Sequence, residues 1–303
     1  MTTAGSEKRR AAAITGAGSG LGREIALGLA AKGYRVFGTA REPEAVPELA
    51  QASGGKVAVT VCDVTDEAAV KGWANQVSET LGDDGLDVVV NNAGILSPGP
   101  LELLSLDAIK REFDVNVFGS LSVIHAFLPA LRKARGRIVQ IGSLTGRFPL
   151  PFNGPSSASK AALEAFADVY RGELKPFGVD FVMVQPGNMV TGGPGKTAAE
   201  LEKVARSMTP EQRDLYGEAF DAFAAALNSM QDRGLPADAA AAKVIEAAEE
   251  TPAPIRVPVG PDAEEILRLV REKSDAELDV ARMELLGLRP SPNPGPCEPC
   301  STP

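Results

Sequence analysis

Seven short, β-rich apolar runs alternate with amphipathic stretches, and this rhythm constrains the fold more than any other feature of the chain. The runs are AAAIT (11–15), RVFGTA (35–40), VAVTVCD (57–63), LDVVVNN (86–92), GRIVQIGS (136–143), DFVMVQPG (180–187) and IRVPVG (255–260). Several are apolar on both faces, which only a strand covered on both sides tolerates. Helical patterns lie between them: Gly20 to Lys32, then roughly 66–81, 105–134, 157–175 and 236–250. In the first, Leu21, Ile25 and Leu29 share a face and Gly33 is a stop signal. Strand and helix repeated this way predict right-handed crossovers. The expected fold is therefore α/β: a Rossmann-like, doubly wound, seven-stranded parallel sheet. At 303 residues the chain suits one large domain, taken as 1–288.

Two segments break the rhythm. Residues 188–235 separate the last two strands and carry no strand pattern; they read as a helical lid insertion, the usual form of a long functional excursion. The tail 289–303 is Pro-rich and expected to be disordered. Its Cys297 and Cys300 lack a second ligand pair, so no metal site is expected. The net charge of −9 disfavours nucleic acid as a partner. No uninterrupted apolar run suggests a membrane span, nor the start a signal peptide, so a cytoplasmic location is expected.

The first strand runs into Thr15-Gly16-Ala17-Gly18-Ser19-Gly20-Leu21-Gly22, which opens a helix. Glycines there permit a tight turn and close approach of backbone to a pyrophosphate, and the helix N-terminus adds amide donors. Placement between a strand and an amphipathic helix marks a dinucleotide loop.

The spacing TGxxxGxG resembles the short-chain dehydrogenase/reductase family, and further motifs follow in that family's order. Asp63-Val64 matches its adenine contact. Asn91-Asn92-Ala93-Gly94 matches its NNAG motif, of which Asn91, Ala93 and Gly94 are candidate cofactor contacts. Asn116 matches its helical active-site Asn, Ser143 its catalytic Ser and Lys160 its catalytic, ribose-holding Lys. Pro186-Gly187, with Met189 and Thr191, matches the segment covering the nicotinamide. The likeness spans about 11–260 and loosely reaches Leu288. It implies hydride exchange with a nicotinamide cofactor and a homodimer or homotetramer built on the helices 105–134 and 157–175. At the end of strand two, Thr39-Ala40-Arg41 offers no carboxylate for a ribose 2′-OH, while Arg41 can pair with a 2′-phosphate; NADP(H) is expected over NAD(H), with Glu42 and Glu44 nearby leaving NAD(H) as the alternative.

One departure stands out. The family's proton donor is a Tyr four residues before the Lys, and here that position is Ser156, in GPSSASK. A serine is shorter than a tyrosine and a far weaker acid than a phenol, whose pKa is about 10. The other tyrosines, Tyr34, Tyr170 and Tyr216, lie outside this motif, although Tyr216 belongs to the lid. Three readings follow: an engineered, inactivated active-site variant; a natural silent member acting as a cofactor-binding sensor or partner protein; or an enzyme using Ser156 with a water or a substrate group as relay.

Residues 146–153 present Phe148, Leu150 and Phe152, and the lid adds Met189, Met208, Leu215, Phe220, Phe223, Leu227 and Met230. An apolar lining over a polar centre suits a lipophilic secondary alcohol or ketone. The string TAR after strand two and the long lid look similar to retinol and hydroxysteroid dehydrogenases. His125, Trp73 and Cys62 read as packing residues.

Overall fold

The computed structural model describes residues 9–190 and 194–288. All seven expected strands are present: β1 (Ala11–Ile14), β2 (Arg35–Ala40), β3 (Val57–Val61), β4 (Val88–Asn91), β5 (Arg137–Ile141), β6 (Asp180–Pro186) and, ninth in chain order, β9 (Arg256–Val259). They form one parallel sheet in the order β3-β2-β1-β4-β5-β6-β9. The winding direction reverses between β1 and β4, which opens a crevice at their carboxyl ends.

The helices on the strand connections are α1 (Gly20–Ala31), α2 (Ala45–Ala52), α3 (Glu67–Leu81), α4 (Leu106–Phe113), α5 (Ser120–Ala134) and α6 (Gly154–Leu174). The stretch read as one helix over 105–134 is α4 and α5 joined through a π-helical turn at Asp114–Gly119. By length and composition this run could cross a bilayer, but half of its most apolar window is buried in the domain, as in a core helix. The short α2 carried no clear period in the sequence.

Strand side chains alternate between two cores. Ala12, Ile14, Val88 and Val90 face α1 and α9 (Ala237–Glu249). Ala11, Ala13, Val89 and Ile138 face α3, α5 and α6, where Trp73 meets Phe127 edge-on at 4.8 Å.

The insertion consists of β7 (Met189–Val190), α7 (Pro194–Ser207), α8 (Pro210–Asp232) and β8 (Leu235–Pro236). Contrary to the strandless reading, β7 and β8 pair as a two-stranded parallel ribbon. The run from Asp262 to Leu288, whose charged amphipathic pattern reads in sequence as one helix, is two, α10 (Pro261–Glu272) and α11 (Asp275–Leu285); Ser274 and Glu277 form a capping box that starts the second. The expected pocket lining is corrected in part. Phe148, Leu150, Phe220 and Phe223 are buried with Leu201, Leu267 and Leu278 in a third core that fastens the insertion to the C-terminal helices. Phe152, Met208, Leu227 and Met230 pack against that core, and Met189 packs against the core beside α1. The four buried side chains offer no apolar surface to a ligand, the five that pack against the cores are half-buried, and Leu215 is 74% exposed.

Arg137 at the start of β5 is buried, and one of its guanidinium nitrogens donates at 2.9 Å to the carbonyls of Ala247, Ala248 and Glu250. It closes the C-terminus of α9, whose last carbonyls have no partner within the helix. Arg137→Met leaves those carbonyls buried and bare. The expected loss is roughly 1.5–3 kcal/mol, read as a lower urea midpoint with unchanged slope.

Candidate active site

The crevice is built from backbone geometry. Thr15 ends β1, buried, and its Oγ1 accepts from the amides of Asn92 at 2.9 Å and Ala93 at 3.0 Å. Asn92 returns bonds from Nδ2 to the carbonyls of Thr15 (3.0 Å) and Gly16 (3.3 Å). Thr39 ties the loop to β2: its carbonyl accepts from Ala17 at 2.7 Å and its Oγ1 from Gly16 at 3.3 Å. Gly16 holds φ +66°, and a Cβ on Gly22 would stand 2.3 Å from the Gly16 carbonyl oxygen. Neither position admits a side chain. The ladder of α1 begins with Arg23 bonding Ser19, so the amides of Gly20, Leu21 and Gly22 lie outside it.

A cavity of about 670 Å³ opens above this loop. Gly16, Gly18, Ser19 and Gly20 form one wall, Thr39, Arg41 and Glu42 a second, Asp63 and Val64 a third, and Asn92 to Ile95 the floor. A Cβ on Gly18 would meet those of Ala45 at 2.9 Å and Ala40 at 3.0 Å. The backbone therefore comes as close as a pyrophosphate requires, and the residues fit a dinucleotide. Thr65 holds the Asp63 carboxyl below the usual range through its amide, with Arg41 and Arg111 adding to the effect.

Some expected contacts have other positions. Leu21 is buried in the core beside α1. Asn91 is buried and donates to the Ser120 carbonyl and the Gln140 side chain, within the sheet. Pro186 ends β6, and the following Gly187 donates to Val259. Met189 lies in β7; Thr191 lies outside the described residues.

The catalytic candidates converge beside the cavity. Ser143 follows β5 and accepts from the Thr145 amide at 3.1 Å. The turn it caps packs on α6, where a Cβ on Gly146 would meet the Lys160 backbone at 3.0 Å. Lys160 Nζ donates to the Ile141 carbonyl at 2.9 Å, and burial pushes its ammonium down to about 8 while Glu112 opposes that shift. A Cβ on Gly94 would meet Asn116 Oδ1 at 3.2 Å and Lys160 Nζ at 3.8 Å, which brings floor, π turn and α6 together. Asn116 is buried; its Oδ1 accepts from Ile95 at 2.8 Å and its Nδ2 donates to Ile95 and Ser159. Its carbonyl accepts the Ser120 hydroxyl. Ser156 is buried in the first turn of α6.

No described tyrosine replaces the missing phenol by an observed contact with these groups. Tyr34 bonds Glu249, Tyr170 bonds His125 at 2.9 Å, and Tyr216 is held by Glu102, which raises its pKa. Sequence reading missed Arg111 and Glu112, and quoted Thr15 in the glycine motif without giving it a role. Glu112 lies four residues before Asn116, a spacing that puts both on one helical face.

Residues 10–202 match the short chain dehydrogenase family. The chain belongs to that family of oxidoreductases, in its retinol dehydrogenase-like branch, and its fold is the nicotinamide-dinucleotide-binding one. It is 34% identical over 244 residues to an NADPH-dependent 3-dehydrocapnine reductase of Ornithobacterium rhinotracheale, covering 78% of this chain and 83% of that protein. It is 37% identical over 212 residues to mouse retinol dehydrogenase 5, covering 68% and 66%. A short-chain dehydrogenase/reductase from Burkholderia phymatum, solved in complex with NAD, superposes with a TM-score of 0.74 at 25% identity, covering 90% and 95%.

The depressed Lys160 pKa fixes a sign. An unfolded lysine holds its proton to about pH 10.4. Between the folded value of about 8 and that limit the unfolded chain binds more protons, so this group makes stability rise with pH. Lys160→Met is expected to remove that rising slope; urea midpoints measured across the interval check it.

Proposed function

We propose that the chain is an NADP(H)-dependent oxidoreductase interconverting a lipophilic secondary alcohol and its ketone. The observation that carries the reading is the approach of Asn116 and Lys160 to Gly94, on the floor of the cavity above a glycine loop that excludes side chains, with the turn after Ser143 packed on α6. When bound, the nicotinamide exchanges a hydride with the substrate carbon. Ser143 orients the substrate oxygen, and Lys160, held by Ile141, presents its ammonium to the ribose hydroxyls. Asn116 fixes the loop after β4 rather than offering its side chain to the cavity. Retinol dehydrogenase 5 and the dehydrocapnine reductase as relatives support a lipophilic substrate.

The NADP(H) preference rests on Arg41 and Arg111. Both line the cavity, and the Arg41 side chain is 61% exposed and paired at the surface with Glu42 at 3.0 Å. Such a pair yields readily to a phosphate. Arg41→Ala is expected to weaken NADPH binding at least about tenfold, the scale of one charge-assisted bond of 1.5–3 kcal/mol. NADH binding should barely change. Fluorescence titration decides, and a wild type that binds NADH as tightly as NADPH sinks the preference.

Ser156 cannot by itself supply a phenol's acidity, and positioned acid–base groups contribute about 10²–10⁴-fold. Ser156→Tyr is therefore expected to raise NADPH-dependent turnover of a panel of lipophilic ketones. Tight NADPH binding with no turnover in either form would favour a sensor without chemistry.

A further inference from the structure

The candidate mechanism leaves one buried acid unused. Glu112 ends the run of α4 into the π turn and has no exposed surface. Its Oε2 accepts from the Ser97 amide at 2.9 Å, and its Oε1 lies 3.4 Å from Asn116 Nδ2. The Ser97 and Ser156 side chains lie near enough to lower its pKa, and Lys160 is the charged group whose field reaches it; Asn116 Nδ2 also donates to Ser159, whose hydroxyl donates to the Ser156 carbonyl at 2.8 Å. A buried carboxyl therefore lies beside the very serine that stands where the family has its phenol.

We propose that Glu112 is the proton reservoir of this site, acting through the Ser156 hydroxyl in place of the absent tyrosine. The inference rests on the oxidoreductase reading above. In reduction, the substrate oxygen takes the proton of Ser156 Oγ as its carbon receives a hydride. The O–H bond broken on Ser156 is remade with the proton of the Glu112 carboxylic acid, and the resulting carboxylate regains a proton from solvent. Oxidation runs the same transfers backward. One proton enters per hydride, so the balance closes with the reduced nicotinamide as reductant. Glu112 is a positioning and relay residue, since Ser156 is the group that meets the substrate.

The surroundings suit the role. Burial raises the Glu112 carboxyl, while the Ser97 bonds, the Lys160 charge and the Ser156 side chain restrain that rise. The competing explanation is a purely structural strut, in which Glu112 only ties the Ser97 loop to the π turn. A strut needs the hydrogen bonds but not the titrating proton.

Glu112→Gln separates the two because it keeps shape and most bonding while removing the acid. The expected result is unchanged NADPH affinity by fluorescence, turnover reduced about 10²-fold or more, and loss of one limb of the pH–rate profile. Glu112→Asp should retain that limb at lower rate. In the Ser156→Tyr background Glu112→Gln should cost little, because the phenol then supplies the proton. An activity-independent readout follows the carboxyl in cofactor-free protein labelled with carbon-13 at glutamate Cδ, its resonance assigned by loss in Glu112→Gln. Its midpoint is expected above the ordinary glutamate range. Full turnover in Glu112→Gln, or an ordinary carboxyl midpoint, overturns the relay. A silent wild type beside an active Ser156→Tyr also overturns it, because the panel then contains a substrate. Failure of wild type to bind NADPH, or silence in both forms, takes down the oxidoreductase reading instead, and the relay is then judged by the carboxyl midpoint.

Discussion

The hydroxyl of Thr15 holds the site together, because it joins two strands at the point where the sheet reverses. Neighbouring connections leave β1 and β4 in opposite directions, so nothing in the strand ladder fixes the loops beyond them. One buried oxygen accepts the amides of Asn92 and Ala93, and Asn92 reaches back to the carbonyls of Thr15 and Gly16. These bonds set the cavity floor against its glycine wall. Buried backbone groups demand partners, and here their satisfaction and the shape of the binding crevice are one arrangement.

The second layer of the site hangs from that floor. Asn116 grips both the amide and the carbonyl of Ile95, and through Ser159 it grips α6. The π turn places Asn116 where a regular helix would rotate it out of register, and such turns are frequent at functional sites. α6 in turn carries Ser156 and Lys160, and the Leu144–Gly146 turn leans on it close to Ser143. Asn116 and Lys160 are therefore each fixed by a partner in another element, while Ser143 is fixed within its own turn by Thr145.

How much of this was legible in the sequence follows from the kind of signal each feature leaves. Parallel strands buried on both faces write unbroken apolar runs, and all seven were readable. The glycine loop was readable because sterics leave it no alternative. The π turn was not, since one widened turn leaves the helical period of 105–134 nearly intact. The break at Ser274 had a signal, the capping box with Glu277, that a continuous amphipathic stripe obscured. Phe148, Phe220 and Phe223 were readable as apolar but not as core, because hydrophobicity says that a face is covered and not what covers it. Arg137 closing α9 depends on residues 110 apart in sequence, a pairing no local pattern carries.

Ser156 and Glu112 belong to one physical problem, the supply of a proton near neutral pH. A phenol begins near pKa 10 and must be lowered toward the working pH, which a neighbouring ammonium does. A carboxyl begins near 4.3 and must be raised, which burial does. The two routes approach the same range from opposite sides, and efficient proton transfer asks only that the donor arrive there. Lys160 acts in opposite senses on them, since its charge helps a phenol ionise but holds a carboxyl down. At this site burial also drives the Lys160 ammonium toward neutrality, which weakens its hold on Glu112 as pH rises toward 8. Burial thus moves Glu112 in the direction that proton supply near neutral pH asks for, the opposite of the direction in which a phenol beside Lys160 would have to move.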